Sequence, residues 1–134
     1  MTIVVAYTPS EQGRAALQAA VRSARRSREG LAVAYYEFGE ADDGLAAPSE
    51  EDVRSALAEA DVEGLDVTLH RRSMTDIGEF LLAVIDEVSA SLLVIGLRRK
   101  SPIGKLNLGN AARRVVLGAP CPVLAVKDGL RAAA

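Results

Sequence analysis

The residues with the clearest capacity for chemistry lie late in the chain, in the stretch GLRRKSPIGKLNLGN from Gly96 to Asn110. It holds three glycines (Gly96, Gly104, Gly109), four cations (Arg98, Arg99, Lys100, Lys105) and no acid. Glycine lets backbone approach a ligand closely, and cations supply mobile countercharge. The residues that follow, AARRVVL, have the pattern of a helix. A helix opening at Asn110 presents unpaired N–H groups with partial positive charge, and the Asn110 amide can both cap that helix and donate to an anion. Together these features describe a seat for phosphate. The same composition also suits a solvated loop whose glycines only satisfy turn geometry.

Two other phosphate motifs do not fit. A Walker loop needs glycine five residues before the Gly104-Lys105 pair, where Arg99 stands, and Leu106 replaces the hydroxyl residue that would hold magnesium. No GxGxxG follows the first apolar run, so a dinucleotide fingerprint is missing too.

Charge is divided unevenly along the chain. The formal net charge is -2, yet residues 1–87 hold 17 acids and 8 bases, whereas residues 88–127 hold 7 bases and no acid. That basic excess attracts an anion. It does not suit nucleic acid, because the cations are confined to one loop and one helix and stacking aromatics make up only 4% of the chain. One cysteine, Cys121, and one histidine, His70, exclude an internal disulfide and a Cys/His zinc site. Cys121, between Pro120 and Pro122, reads as a packing residue, and His70 as a surface or supporting residue. Ser10 and Ser101 have no neighbouring base to make them nucleophiles. Tyr35 and Tyr36 close a strand, where one lines a ligand pocket or packs under a helix. The acidic region from Glu40 to Asp52 reads as a solvated loop and helix start.

These residues need a scaffold, and the 134-residue chain is long enough for one domain with a real core. No apolar run approaches the roughly 18 residues that span a bilayer, and the start MTIVVAYTP lacks a basic leader, so the expectation is a cytoplasmic protein with no membrane contact. IVVAY (3–7) is a doubly buried strand. Thr8-Pro9-Ser10-Glu11 then opens a helix to about Ser27, with Thr8 or Ser10 as its cap and an alanine-lined face. LAVAYY (31–36) is a second strand, followed by a long loop and a helix that Ser49 caps. LDVTLH (65–70) alternates like a strand near the sheet edge, and a third helix spans Thr75 to Val88. SLLVI (91–95) is expected to be the central strand; after the basic loop come a helix from Asn110 to Leu117, a Gly118 stop and a fifth strand in PCPVLAV. This alternation specifies an α/β domain with a mostly parallel sheet covered on both faces, its ligand crevice beyond the carboxyl ends of the strands.

Two segments, IVVAYTPSEQGRAAL and GLRRKSPIGKLNLGNAARRVVLGAPCPVLAVK, carry a resemblance to the universal stress protein family, in its bacterial single-domain form. The resemblance covers nearly the whole chain, as a domain over residues 1–127 with a short tail at 128–134. It implies a five-stranded parallel sheet in order 3-2-1-4-5 with helices on both faces, like that of the adenine-nucleotide alpha-hydrolases. It also implies a homodimer, for which the apolar VLAV near the C-terminus is the pairing edge strand, and a stress-response role without catalysis or metal. One branch of the family binds ATP through G-x2-G-x9-G-[ST]. Gly96 matches the first glycine and Gly109 the third; Arg99 stands at the second and Asn110 at the Ser/Thr position. Thr8 and Pro9 occupy the place where nucleotide-binding members carry the Asp that meets adenine. The implied ligand is ATP or AMP, contacted by Thr8, Gly96, Arg98, Arg99, Gly104, Lys105, Gly109 and Asn110. The alternatives are a dimeric scaffold of the same fold without nucleotide, and a weak nucleotide hydrolase.

Overall fold

The computed structural model describes residues 1–8, 11–36, 50–72, 77–97 and 110–127. The elements are β1 (Thr2–Tyr7), α1 (Glu11–Ser27), β2 (Gly30–Tyr36), α2 (Glu50–Ala60), β3 (Val67–Arg72), α3 (Ile77–Val88), β4 (Ala90–Leu97), α4 (Asn110–Gly118) and β5 (Val123–Lys127). All five strands run parallel in the order β3-β2-β1-β4-β5. The expected parallel α/β architecture is therefore present. The middle position, however, belongs to β1, with β4 between it and β5. Hydrophobicity did not separate these two strands, since both are interior and both bury apolar side chains on either face.

The sheet divides the core into two layers. Ile3, Val5 and Tyr7 point to the face covered by α1 and α2, while Val4, Ala32 and Leu93 point to the face covered by α3 and α4. Residues such as Leu17, Leu31, Ile85 and Leu93 are almost fully buried, each contributing about 1.5–3 kcal/mol of transfer free energy. No polar or charged residue is buried among the described residues.

On α1 the buried face is small: Gly13, Ala16, Ala20 and Ala24 recur along it with Leu17 and Val21. Such a face lets the helix approach the sheet closely, and the approach is tight enough to demand glycine on both sides. A Cβ on Gly13 would lie 2.0 Å from the Thr8 carbonyl oxygen, and one on Gly96 would lie 2.3 Å from that of Gln12.

The first three helices end without glycine. Arg28, Asp61 and Ser89, immediately after α1, α2 and α3, take φ of 59°, 60° and 53°. These are left-handed exits of the kind glycine usually fills. Glu29 donates its N–H to the Ala24 carbonyl at 3.0 Å, which closes α1 through a six-residue capping turn. Gly118 is instead the last residue of α4 and packs at 3.4 Å from Leu82 when given a Cβ. The third strand also begins two residues later than its alternation suggests. A turn at Gly64 (φ 86°), closed by Leu65 N–H to the Val62 carbonyl at 3.0 Å, occupies the start of LDVTLH, and the pairing with β2 runs on to Arg72.

Candidate ligand site at the carboxyl end of the sheet

β1 lies between β2 and β4, so the winding reverses there, and the crevice of such a sheet opens beyond the carboxyl ends of β1 and β4. Tyr7 and Thr8 leave β1 at this end, and Gly96 and Leu97 end β4. Both chain segments meet the first turn of α1. Thr8 crowds the Gly13 position with its carbonyl and hydroxyl oxygens, and Gly96 abuts the Gln12 backbone. Of the residues expected to contact a ligand, Thr8 and Gly96 are thus brought together by one short piece of helix.

Asn110 is the first residue of α4, as expected for the residue that opens that helix. Arg98, Arg99, Gly104, Lys105 and Gly109 lie outside the described residues, as do Pro9, Ser10, Ser49, Ser101 and the 128–134 tail. The α4 start carries no acid in its first turn, so its N–H groups meet no competing side-chain carboxylate from their own helix. Downstream, Arg113 and Arg114 are exposed, and Arg114 is engaged by Glu79 of α3 at 2.9 Å.

One cation at this end was counted in the sequence without being assigned to the site. Lys127 pairs in register with Leu97, the residue that leads into the basic loop, and is partly buried. Its place depends on the β4–β5 register, which no local pattern reports.

The other titratable groups have structural surroundings. Tyr7 is 4% exposed under α1 and α2. Burial pushes its phenol above the ordinary 10.0; Arg14 pulls it down by less, and Asp52 and Glu59 add to the rise. Tyr35, its register partner, is buried in the same layer, which matches the packing reading. Cys121 packs against the α3/α4 layer, and burial raises its thiol above 9.0. His70 bonds through Nε2 to Thr68 Oγ1 at 3.0 Å, and its Nδ1 lies 3.9 Å from Glu87 of α3. Among the described residues, no three His, Cys, Asp or Glu gather as a metal site, and no helix is long and apolar enough to cross a membrane.

The sequence model of the Universal stress protein family matches residues 1–127. A universal stress protein of Mycolicibacterium smegmatis is 37% identical over 125 residues, covering 93% of this chain and 96% of its own. A universal stress protein from Archaeoglobus fulgidus superposes with a TM-score of 0.75 at 30% identity, covering 95% of this chain and 98% of that one. Another structure, a universal stress protein from the same organism in complex with dAMP, superposes with a TM-score of 0.67 at 25% identity, covering 95% and 98%.

Proposed function

Because the chain belongs to the universal stress protein family, we propose that it is a cytoplasmic, non-catalytic stress-response regulator that binds an adenine nucleotide, ATP or AMP, or a related phosphate ligand, at the loop joining β4 to α4. The observation that carries this reading is the meeting of an acid-free, cation-rich segment with the start of α4, beside the strand where the sheet reverses its winding. The relative bound to dAMP supports it.

In this reading the N–H groups of Gly109 and Asn110 hold phosphate, Gly96 and Gly104 permit close approach, and Arg98, Arg99 and Lys105 neutralise its charge. Thr8 sits near the base. Turnover is not proposed, because residues 88–127 contain no carboxylate to hold magnesium or activate water.

The regulator acts as a homodimer through β5. Among the described residues that strand pairs with β4 alone, Leu124 on it is 41% exposed, and Val116 and Leu117 of neighbouring α4 are 47% and 81% exposed. Large exposed apolar side chains beside the last strand of a sheet suit pairing with a second copy.

A dimeric scaffold without ligand is the second reading. It is favoured by Thr8, whose oxygen atoms turn onto Gly13 of α1 and which replaces an acid at the base-contacting position. Calorimetric titration with ATP, AMP and inorganic phosphate separates the two. Saturable heat with ATP or AMP supports the regulator; no heat from any of the three at protein concentrations well above micromolar leaves the scaffold.

A further inference from the structure

The layer formed by α1 and α2 carries two charge stripes of opposite sign. On α1, Glu11 is the single acid, against Arg14, Arg22, Arg25 and Arg26. α2 carries Glu50, Glu51, Asp52 and Glu59 against Arg54 alone, and Glu50 already holds that arginine at 2.6 Å. Glu63 follows in the turn after α2. Arg14, Arg22, Arg26, Glu51, Glu59 and Glu63 are all exposed, and among the described residues their side chains enter no ion pair or hydrogen bond.

Both helices lie on one face of a parallel sheet and carry the chain back from its carboxyl to its amino end, so they run side by side in the same direction. One contact fixes their relative height: the Arg25 guanidinium donates to the Asp61 carbonyl and lies 3.9 Å from its carboxylate. Counting back equally along the two helices from that contact sets Arg22 level with Ala58, next to Glu59, and Arg14 level with Glu50, next to Glu51. Counting forward sets Arg26 level with Val62, next to Glu63. Each of these arginines therefore has a carboxylate at its own height, one helix away.

A two-fold axis parallel to such helices, above the groove between them, keeps every height and exchanges the stripes. α1 of one copy then lies over α2 of the other, and the contact is made twice. We propose that the α1/α2 face docks on the same face of a second copy, arginines of each α1 over the carboxylates of the opposite α2. Ala15, Ser55 and Ala58, set among the stripes, are short and let the charged arms meet across the seam. A nucleic acid or an anionic membrane is the wrong occupant, because the acids of α2 would meet it as closely as the arginines do. A net charge of -2 leaves little overall repulsion between copies. The face is separate from the β4 loop and from β5, so the contact stands whether or not nucleotide binds and adds to assembly through β5.

Sedimentation velocity of the intact protein, from micromolar to submillimolar concentration, reads this contact as an association step that salt dissolves; apolar pairing at β5 is not screened in that way. The step is expected at about 20 mM NaCl and should weaken about tenfold or more at about 0.5 M. Arg22→Glu with Arg26→Glu turns the α1 stripe acidic at that end and should abolish it. Glu59→Arg with Glu63→Arg turns the α2 stripe basic there and should do the same. An equimolar mixture of the two variants restores the step, since each altered stripe then meets its opposite. Arg22→Gln with Arg26→Gln, a milder change, should weaken it without reversing the charge. No salt-sensitive step in the native protein, its persistence in either charge-reversed variant, or failure of the mixture to associate overturns the proposal. Retention of the native protein on heparin at low salt without self-association assigns α1 to a polyanion and overturns it equally.

Discussion

Gly96 and Gln12 meet backbone to backbone: a Cβ on Gly96 would stand 2.3 Å from the Gln12 carbonyl oxygen and 2.7 Å from its carbon. The last turn of sheet before the basic loop is thereby pressed against the first turn of α1. A side chain there has to move helix backbone, which does not yield as a flexible side chain would. Gly96→Ala is expected to cost about 1–3 kcal/mol, read by denaturant unfolding. Gly118→Ala is the control; its Cβ meets only Leu82 side-chain atoms, at 3.4 and 3.8 Å, and its effect should stay within about 0.5 kcal/mol.

The basic loop separates ligand binding from stability. Gly109→Asp places a carboxylate where the proposal puts phosphate and should abolish ATP binding in calorimetry while the unfolding midpoint holds. Arg99→Gly restores the second glycine of the family motif and should tighten ATP binding if the arginine crowds the ligand. Unchanged affinity in both variants removes the loop from the function.

Tyr7 predicts an alkaline signature. Its phenol is raised above 10.0 mainly by burial, so the folded state favours the neutral form more than the unfolded chain does. The associated stability is complete below the unfolded value and is lost as pH rises through the folded one. Unfolding free energy measured from about pH 9 to 11 should fall for the native protein and fall less steeply for Tyr7→Phe. Parallel curves would remove Tyr7 as the cause.

Ser89 takes φ 53° between α3 and β4 with a side chain that disfavours that conformation. Ser89→Gly should raise stability by up to about 1 kcal/mol, the left-handed strain relieved being partly offset by the greater freedom of glycine in the unfolded chain. Ser89→Val should do the opposite, because a β-branched residue fits that region worst. Thermal unfolding of the pair checks the sign.

Assembly through β5 predicts a different readout. Leu124→Glu together with Leu117→Glu puts charge on exposed apolar positions and should shift sedimentation from dimer to monomer with little change in circular dichroism. A dimer that survives both substitutions is not built on that edge.

The alternation of apolar runs and amphipathic segments was enough to read every strand and helix, because each is a local pattern: IVVAY and SLLVI for buried strands, Ala16, Ala20 and Ala24 for a closely packed helix face. The sheet order was legible only through the resemblance to a family. Patterns of one strand carry no information about its neighbours, which is why β4 was read as central and β1 occupies that place. Helix exits at Arg28, Asp61 and Ser89 left no glycine to mark them, and the turn at Gly64 hid inside an alternating stretch.

The site divides along the same line. Residue types alone determined that an acid-free segment rich in glycine and cations precedes α4, since charge and glycine content are properties of the chain itself. Only the tertiary structure decided that Gly96 faces Gln12, that Thr8 turns onto Gly13, that Lys127 pairs beside Leu97 and that β3 is the first strand of the sheet, next to a cleft against α2. Those facts depend on register and on distances between segments far apart in the chain, and they are set by how the layers pack rather than by any residue's own preference.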